Sequence, residues 1–375
     1  MTSMLTTEIS PIEDIIEAAL NGEAFILVDA EDRENEGDII LPAQFVTPQQ
    51  INFMAKHARG LICLAITQDR ATELRLPPMA AENRAGMGTA FTVSIEAHEG
   101  VTTGISAHDR AHTIAVATDP EKGADDVVSP GHVFPLVAKP GGVLVRAGHT
   151  EAAVDICRLA GLHAAGVICE VMSDDGSMAR LPELKRFARV HGLKIGTIAD
   201  LIAYRRKTER CLERVYDQPF NSIHARGLHL IVYRSLIDGT EHVAITKGAI
   251  DPEQPVLVRM HQNDFANDML GLLSERQDYI PRALQAIGDE DGPGAVVFIR
   301  DPRQQALSSR FMAGNMPTPE ETIRDYGTGA EILVDLGVRQ MTLLTSQDSR
   351  LPSIEGYGLS IVGRRPLPPL RSNIN

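Results

Sequence analysis

The sequence lacks tryptophan, and only 4% of its 375 residues are aromatic. Its interior must therefore be built mainly from Ile, Leu, Val and Ala. Hydrophobic residues make up 43% of the chain, which is enough to bury a core in both halves. A chain of this length is too long for one ordinary core and suits two domains.

Positive charge is also scarce in this sequence. There are 36 Lys and Arg residues against 50 Asp and Glu residues, which gives a formal net charge of −14. Because a phosphate backbone selects basic surfaces, this balance argues against nucleic acid as a main partner. A small anionic substrate stays possible wherever basic residues gather locally.

Long apolar runs and closely spaced cysteines are missing. No run approaches the roughly 20 apolar residues that cross a membrane. Residues 1–10 have no basic segment followed by an apolar stretch, so we expect no signal peptide. The four cysteines show no C-x-x-C spacing, which favours a cytoplasmic location and gives no support for zinc held by thiolates.

Apolar residues at helical spacing alternate with short, continuous apolar runs through the first half of the chain. The spacing and flanking turn residues predict helices over 12–20, 151–159 and 181–191, and further helices that start at 47 and 200. The continuous runs predict buried strands at 25–28, 39–41, 61–67, 166–171 and 195–198. This alternation predicts a layered α/β domain.

A highly charged segment, 204–213, follows this pattern and indicates a domain boundary within 204–222. We therefore expect a first domain over 1–206, a linker over 207–221, a second domain over 222–365 and a flexible tail over 366–375. The second half shows a predicted hairpin (229–233 and 242–245), buried strands (295–299 and 341–345) and a helix (328–336).

An acidic segment, Asp29–Asp38, carries six carboxylates in ten residues between two predicted buried strands. Like charges this close repel one another. A hard divalent cation such as Mg²⁺ would relieve the repulsion, and Arg33 adds a fixed positive charge suited to a phosphate or a polarised oxygen. On charge alone, a solvated acidic surface loop explains the segment equally well.

Three further polar stretches border predicted elements. Arg146–Glu151 opens a helix, and helix N-termini attract phosphate. Gly100–Arg110 is rich in hydroxyl groups that suit a polyol, although such clusters are more often ordinary turns. Glu170 ends a buried strand, where a carboxylate must either be paired or emerge at a site.

Together these stretches resemble the 3,4-dihydroxy-2-butanone 4-phosphate synthase family. The segments that carry the resemblance are Asp32–Asp38, Gly100–Arg110, Pro130–Leu136, Arg146–Glu151 and Ser173–Arg180. The family converts ribulose 5-phosphate to a four-carbon ketone phosphate and formate for riboflavin synthesis. The resemblance implies a mixed sheet covered by helices, Mg²⁺ or Mn²⁺ as the cofactor and a homodimer.

The resemblance also assigns roles to single residues. It makes Glu34 and His149 the metal ligands, and His132 and Glu170 the residues that transfer protons. It implies a substrate site formed by Arg33, Glu34, Glu36, Asp38, Thr103, Arg146, Ala147, Gly148, His149, Thr150 and Glu170.

Residues 220–365 resemble GTP cyclohydrolase II, a second α/β domain, on the segments 255–261, 324–330 and 355–359. The zinc ligands of that family are three cysteines, and an ungapped alignment puts Asp264, Glu275 and Gln277 in their places. The phosphate-contacting stretch is also altered, at 300–305, and Thr322 replaces an acidic residue before Arg324. Because carboxylates do not reproduce a soft thiolate site, we expect no zinc and no cyclohydrolase activity.

Three alternatives stay open from the sequence. The chain could be a bifunctional enzyme that also has GTP cyclohydrolase II activity, which the missing cysteines oppose. It could be a non-catalytic metal- or nucleotide-binding regulator, which the intact signatures of the first half oppose. It could also be another metal-dependent sugar-phosphate enzyme, such as an isomerase, which would release no formate.

Overall fold

The structure is a computed structural model that describes residues 9–31, 33–84, 86–271, 278–301, 319–345 and 357–370, with all side chains except those of 319–326. The chain divides into two compact units, residues 1–205 and 206–375. Each unit contains one mixed sheet with helices, which confirms the predicted fold class.

The elements of the first unit follow one another in the predicted alternation. Its α-helices are α1 Ile12–Leu20, α2 Pro48–Phe53, α3 Gln68–Glu73, α4 Ala107–Thr118, α5 His149–Leu159, α6 Leu181–His191 and α7 Ile198–Thr208, the last of which continues past residue 205. Its strands are β1 Phe25–Val28, β2 Gly37–Pro42, β3 Cys63–Ile66, β4 Ile95–Ala97, β5 Val127–Val137, β6 Gly166–Glu170 and β7 Lys194–Thr197.

The first sheet has the strand order β4-β5-β3-β6-β2-β1-β7. Strand β1 pairs in parallel with β7 and antiparallel with β2, so the sheet is mixed. Both faces are covered by separate hydrophobic clusters, which explains why β1, β3 and the part of β2 after Asp38 are continuous apolar runs rather than alternating ones. The predicted strands and helices of this half are confirmed to within a few residues.

The second unit contains a sheet of order β14-β13-β11-β12-β10-β9-β8. Its strands are β8 Leu212–Phe220, β9 Leu228–Ser235, β10 Glu241–Lys247, β11 Val256–Gln262, β12 Gly294–Ile299, β13 Gln340–Leu344 and β14 Ser360–Arg365. Its helices are α8 Phe265–Asp268, α9 Tyr279–Asp289 and α10 Pro319–Asp335. The predicted hairpin is the antiparallel pair β9–β10.

Two expectations about chain organisation differ from the structure. The segment 207–221, expected to be a linker, contains β8, which pairs antiparallel with β9 along its length. The segment 366–375, expected to be a flexible tail, is anchored at Leu367, which is 4% exposed and packs in a core cluster. The Arg282 guanidinium also donates to the carbonyls of Leu367 and Pro368, at 2.7 and 2.6 Å.

The four cysteines all lie among the described residues, where they are buried and form no disulfide bond. Burial raises the thiol pKa of Cys63, Cys157 and Cys169, which disfavours the reactive thiolate. Among the described helices, none is both long and apolar enough to cross a membrane.

Candidate active site

The acidic turn between β1 and β2 is held together by Asp29. Its carboxylate accepts hydrogen bonds from the backbone N–H groups of Glu34 and Glu36, at 3.0 and 2.8 Å. Arg33 Nη1 donates to Asp29 Oδ2 at 2.8 Å and to Glu34 Oε2 at 2.7 Å. The turn is therefore an ordered structure in which part of the negative charge is balanced internally.

His149 is the first residue of α5 and faces this turn. Its ring is buried, and Nε2 lies 3.2 Å from the backbone carbonyl of Leu27 on β1. Because a carbonyl only accepts, Nε2 must carry the proton. A neutral His149 ring then presents the lone pair of Nδ1 to the acidic turn, which is the arrangement that metal-binding histidines use.

Two carboxylates converge on His149 Nδ1. Glu34 Oε2 and Asp38 Oδ1 each lie 3.8 Å from it, which is too long for a hydrogen bond. Asp38 Oδ1 is buried and has no hydrogen-bond partner among the described residues. Potential ligand atoms of Asp29, Glu34 and His149, and of Glu36, Asp38 and His149, lie within 4.8 Å of one another.

These spacings fit a divalent cation. Ligands of an octahedral Mg²⁺ ion at about 2.1 Å lie about 3.0 Å apart when adjacent and about 4.2 Å apart when opposite. The carboxylate oxygens are the hard ligands that Mg²⁺ prefers, and an orphaned buried oxygen at Asp38 needs a partner of this kind. The residues present therefore form an acidic candidate metal site.

Burial and the neighbouring charges shift the pKa values of the site residues. Burial is the main cause that raises the Asp38 pKa to about 7, and the nearby Glu170, Glu36 and Glu34 add to it. Burial opposes the charged form of His149, but the surrounding carboxylates outweigh it and raise its pKa to about 9. The His149 ring lowers the Glu34 pKa, whereas burial raises that of Glu36.

Glu170 joins the site through the sheet. In the β2–β6 register it stands directly opposite Asp38, so the two side chains lie on the same face. Glu170 Oε2 accepts the backbone N–H of Leu61 at 2.8 Å. Gly60 is required beside it, since a Cβ there would overlap the Glu170 backbone and carboxylate.

The loop before α5 places Arg146, Ala147 and Gly148 at the start of the helix, in which Thr150 is the second residue. Arg146 Nη1 donates to Glu151 Oε2 at 2.6 Å, and its other nitrogen, Nη2, lies 3.3 Å from the Thr89 hydroxyl. A Cβ at Gly148 would overlap the Arg146 guanidinium, so glycine allows the arginine to fold over the helix start. The loop thus adds a fixed positive charge to the free N–H groups of α5.

A buried ion pair stabilises this loop. Arg205 Nη1 donates to Asp155 Oδ2 at 2.7 Å, and the backbone N–H of Val143 donates to the same oxygen at 2.8 Å. Arg205 Nη1 also donates to the carbonyl of Gly141 at 2.8 Å. Asp155 and Arg205 therefore tie the turn that leads into Arg146 to α5 and α7.

His132 and Thr103 form a second group, apart from the first. The His132 ring lies on β5 and hydrogen bonds through Nδ1 to Glu96 on β4. Thr103 is exposed in a loop whose flanking residues, Thr102 and Gly104, both donate to Asp109. In the described part of the chain, no hydrogen bond or ion pair joins His132 or Thr103 to the group around His149.

Sequence reasoning missed four residues that organise these groups, namely Asp29, Glu96, Asp109 and Glu151. Asp29 follows directly after a buried strand, a position that gives some signal for a turn-forming carboxylate. Asp109 and Glu151 lie in stretches that the sequence singled out, but their roles were not recognised. Glu96 gave no signal, because its partner His132 lies far away in sequence.

The second unit holds a buried His–Asp hydrogen bond where cyclohydrolase residues are expected. His261 Nε2 lies 2.8 Å from Asp268 Oδ2, with both side chains at least 91% buried. The backbone N–H of Asp264 donates to the same carboxylate oxygen at 2.8 Å. The predicted replacements Glu275 and Gln277, and residues 302–305, lie outside the described residues, as do the side chains of Thr322 and Arg324.

Comparison with known proteins gives a consistent result for both units. Residues 13–204 match the family described as 3,4-dihydroxy-2-butanone 4-phosphate synthase, and residues 213–366 match GTP cyclohydrolase II. The chain is 48% identical over 360 residues to a 3,4-dihydroxy-2-butanone 4-phosphate synthase of Pseudomonas aeruginosa, covering 94% of this chain and 98% of the relative. It is 46% identical over 380 residues to riboflavin biosynthesis protein RibBA of Aquifex aeolicus, covering 95% and 92%.

Solved structures agree with these matches. RibBX, a two-domain 3,4-dihydroxy-2-butanone 4-phosphate synthase from A. baumannii, is 40% identical, with a TM-score of 0.80, and covers 95% of this chain and 99% of its own. A 3,4-dihydroxy-2-butanone 4-phosphate synthase in complex with two magnesium ions is 44% identical, with a TM-score of 0.51 over 53% of this chain and 98% of that one. The chain therefore belongs to the 3,4-dihydroxy-2-butanone 4-phosphate synthase family, enzymes of riboflavin biosynthesis, and carries a second domain of GTP cyclohydrolase II type.

Proposed function

We propose that the first domain converts D-ribulose 5-phosphate to 3,4-dihydroxy-2-butanone 4-phosphate and formate, with Mg²⁺ held by Glu34 and His149. The main support is that Glu34 Oε2 and Asp38 Oδ1 each lie 3.8 Å from His149 Nδ1. The same Asp38 oxygen is buried and has no hydrogen-bond partner among the described residues. When bound, the divalent ion stabilises negative charge that develops on vicinal substrate oxygens.

The protein residues around the ion orient the sugar. The phosphate lies at the N-terminal end of α5, where Arg146 and the free N–H groups after Gly148 supply positive charge. The substrate hydroxyls lie against Glu36, Asp38 and Arg33. Thr103 adds a hydroxyl that can both donate and accept.

Proton transfer is assigned to Glu170 and His132. The reaction removes a proton next to the carbonyl, loses water, shifts the carbon skeleton and takes up water as C4 leaves as formate, so that no net water is consumed. Each step needs a group that both accepts and donates a proton near neutral pH, as Glu and His do. Glu170 stands opposite Asp38 on the sheet, beside the sugar.

Product analysis tests this function directly. We expect purified protein with ribulose 5-phosphate labelled with ¹³C at C4 to release one equivalent of labelled formate per turnover. An isomerase acting at the same site would give a new pentose phosphate and no formate. Formation of a pentose product alone would contradict the proposal.

The protonation of the site predicts pH-dependent metal binding. Without metal, His149 with a pKa of about 9 and Asp38 with a pKa of about 7 hold protons that a cation must displace. We therefore expect Mg²⁺ affinity to rise by about tenfold per pH unit between pH 7 and 9, where His149 releases one proton, and more steeply below pH 7, where Asp38 releases a second. Titration calorimetry in two buffers of different ionisation enthalpy measures both quantities.

The His149→Gln variant is the control for this effect, because it removes the titrating ring and should bind Mg²⁺ weakly with a much flatter pH dependence. A wild-type affinity that stays constant from pH 6 to 9, with no proton release, would contradict the assignment of His149 as a ligand.

We propose that the second domain does not hydrolyse GTP. His261, which comes just before the cysteine positions of that family's zinc site, is hydrogen bonded through Nε2 to the Asp268 carboxylate at 2.8 Å. The three cysteine positions hold Asp264, Glu275 and Gln277. Oxygen ligands of this kind do not match the soft sulfur ligands of a zinc thiolate site.

Metal analysis and a GTP assay test this second proposal. We expect substoichiometric zinc after purification in zinc-containing medium, and no formate from GTP under conditions in which ribulose 5-phosphate is turned over. One zinc per chain together with formate from GTP would establish the bifunctional alternative.

Other expectations from the sequence remain predictions. They are the use of Mn²⁺ in place of Mg²⁺, a homodimer, a cytoplasmic location and the absence of a nucleic-acid partner. The end of the first domain at 206 is likewise proposed, whereas the second domain begins before β8 rather than at 222.

A further inference from the structure

Glu96 contacts His132 at an irregular point of the first sheet. On β5, residues 129–132 form a bulge, since Ile95 stands opposite Val133 while the next residue, Glu96, stands opposite Val128. Bulges often occur beside active sites, where they redirect a side chain. Here the bulge places the His132 ring against the Glu96 carboxylate, with which Nδ1 forms a hydrogen bond.

The two ends of this pair differ in exposure. The Glu96 side chain is 17% exposed, whereas the His132 side chain is 44% exposed. Because an ionised carboxylate only accepts hydrogen bonds, the Nδ1 atom of His132 carries the proton. The Nε2 atom of the neutral ring then has a free lone pair.

The neighbouring loop is built around the same pair. Gly104 has φ +80, and a Cβ at this position would overlap the Glu96 carboxylate and come 2.7 Å from His132 Nδ1. Asp109 holds the loop in place by accepting from the N–H of Gly104 at 3.0 Å and from the hydroxyl of Thr102 at 2.8 Å. The loop that carries Thr103 is therefore packed directly on the Glu96–His132 pair.

We propose that Glu96 is a positioning residue for His132. Its carboxylate fixes the ring in the tautomer protonated at Nδ1, so that Nε2 is the atom that accepts and returns a proton during the reaction. This inference rests on the proposed function, in which His132 transfers protons. It adds the residue that selects which ring nitrogen does so.

The Glu96→Gln variant tests the role of the carboxylate. Gln keeps the size, but its amide can donate to Nδ1 and thereby select the opposite tautomer. We expect kcat for formate release to fall by about 10- to 100-fold, with the KM for ribulose 5-phosphate changed by less than about twofold. Glu99→Gln, which removes the charge of an exposed carboxylate three residues away, is the matched control and should keep wild-type kcat.

Nitrogen NMR of ¹⁵N-histidine-labelled protein measures the tautomer of His132 directly. This tautomer would not change if Glu96 had only a structural role. We expect the His132 signals, assigned by their loss in His132→Gln, to show the Nδ1–H tautomer in the wild type. In Glu96→Gln they should shift toward the Nε2–H tautomer. The wild-type spectrum alone tests the proposal if the variant does not fold.

The outcomes separate this inference from the proposed function. If His132→Gln keeps normal turnover, the role of His132 itself is wrong. If His132→Gln is inactive while Glu96→Gln has wild-type kcat and an unchanged tautomer, only the role of Glu96 is wrong. A double variant that is no slower than His132→Gln supports the proposal, whereas a further multiplicative loss overturns it.

Discussion

Replacement of Glu34 by Gln should lower kcat for formate release by about 10³-fold. The substitution keeps the shape of the side chain but removes the anionic oxygen that lies 3.8 Å from His149 Nδ1. It also weakens one of the two carboxylate contacts of Arg33, the one at 2.7 Å, while that with Asp29 remains. Steady-state kinetics with saturating Mg²⁺ measures the loss, and circular dichroism checks that the variant is folded.

Glu31→Gln is the matched control, because Glu31 lies in the same acidic turn and its side chain is exposed. It removes the same charge from the turn without touching His149, so its kcat should stay within about twofold of the wild type. Equal losses in both variants would mean that the general negative charge of the turn matters, rather than a ligand at Glu34. A Glu34→Gln enzyme with near-normal kcat would refute the metal assignment.

Replacement of Asp155 by Ala should lower the free energy of unfolding by about 3 kcal/mol. It removes the carboxylate from a buried ion pair with Arg205, in which the side chains are 5% and 6% exposed. It also leaves the backbone N–H of Val143 without its acceptor. Urea unfolding followed by circular dichroism measures the change.

An exposed ion pair provides the comparison. Asp174 contacts Arg59 at 2.6 Å, but its side chain is 99% exposed, so Asp174→Ala should unfold at nearly the wild-type urea concentration. The double variant Asp155→Ala/Arg205→Met should be more stable than Asp155→Ala, because it no longer buries the arginine without its carboxylate. If Asp155→Ala were as stable as the wild type, the ion pair would not support the loop before α5.

Much of the first unit could be predicted from sequence because many of its elements are simple in pattern, although α3, β4, α4 and β5 were not predicted. Strands β1, β2 and β6 are buried on both faces along most of their length, so each contains a continuous apolar run. Helix α6 has a strongly one-sided apolar pattern and a Gly at its C-terminal end, and its predicted limits are correct. Apolar runs and helix ends depend on residues that are close in sequence, so a single sequence is enough to predict them.

Strand β8 could not be predicted in the same way. It lies at the edge of the second sheet, and most of its side chains are exposed, so it has neither an apolar run nor a clear alternation. Its polar residues and the preceding charged segment are typical of a linker. Pairing with β9 determines its conformation, and this pairing is not visible in a single sequence.

In the candidate site, too, some contacts could be predicted from the sequence and others could not. Proximity of the acidic turn to His149 was expected from the resemblance, and the structure places the two 3.8 Å apart at the closest ligand atoms. The contact between Glu96 and His132 depends on a bulge and on the pairing of β4 with β5, neither of which leaves a pattern in the sequence. Likewise, Asp155 meets Arg205 only because α5 and α7 pack on the same sheet face.

The most direct test of the account is the position of a bound cation. Crystals grown with Mn²⁺, whose anomalous scattering identifies it, should show a peak in contact with a carboxylate oxygen of Glu34 and with Nδ1 of His149. The same crystals soaked with excess EDTA should lose that peak, and the enzyme in solution should lose formate release in parallel. An anomalous peak that contacts neither side chain, or full activity after removal of every divalent ion, would contradict the account.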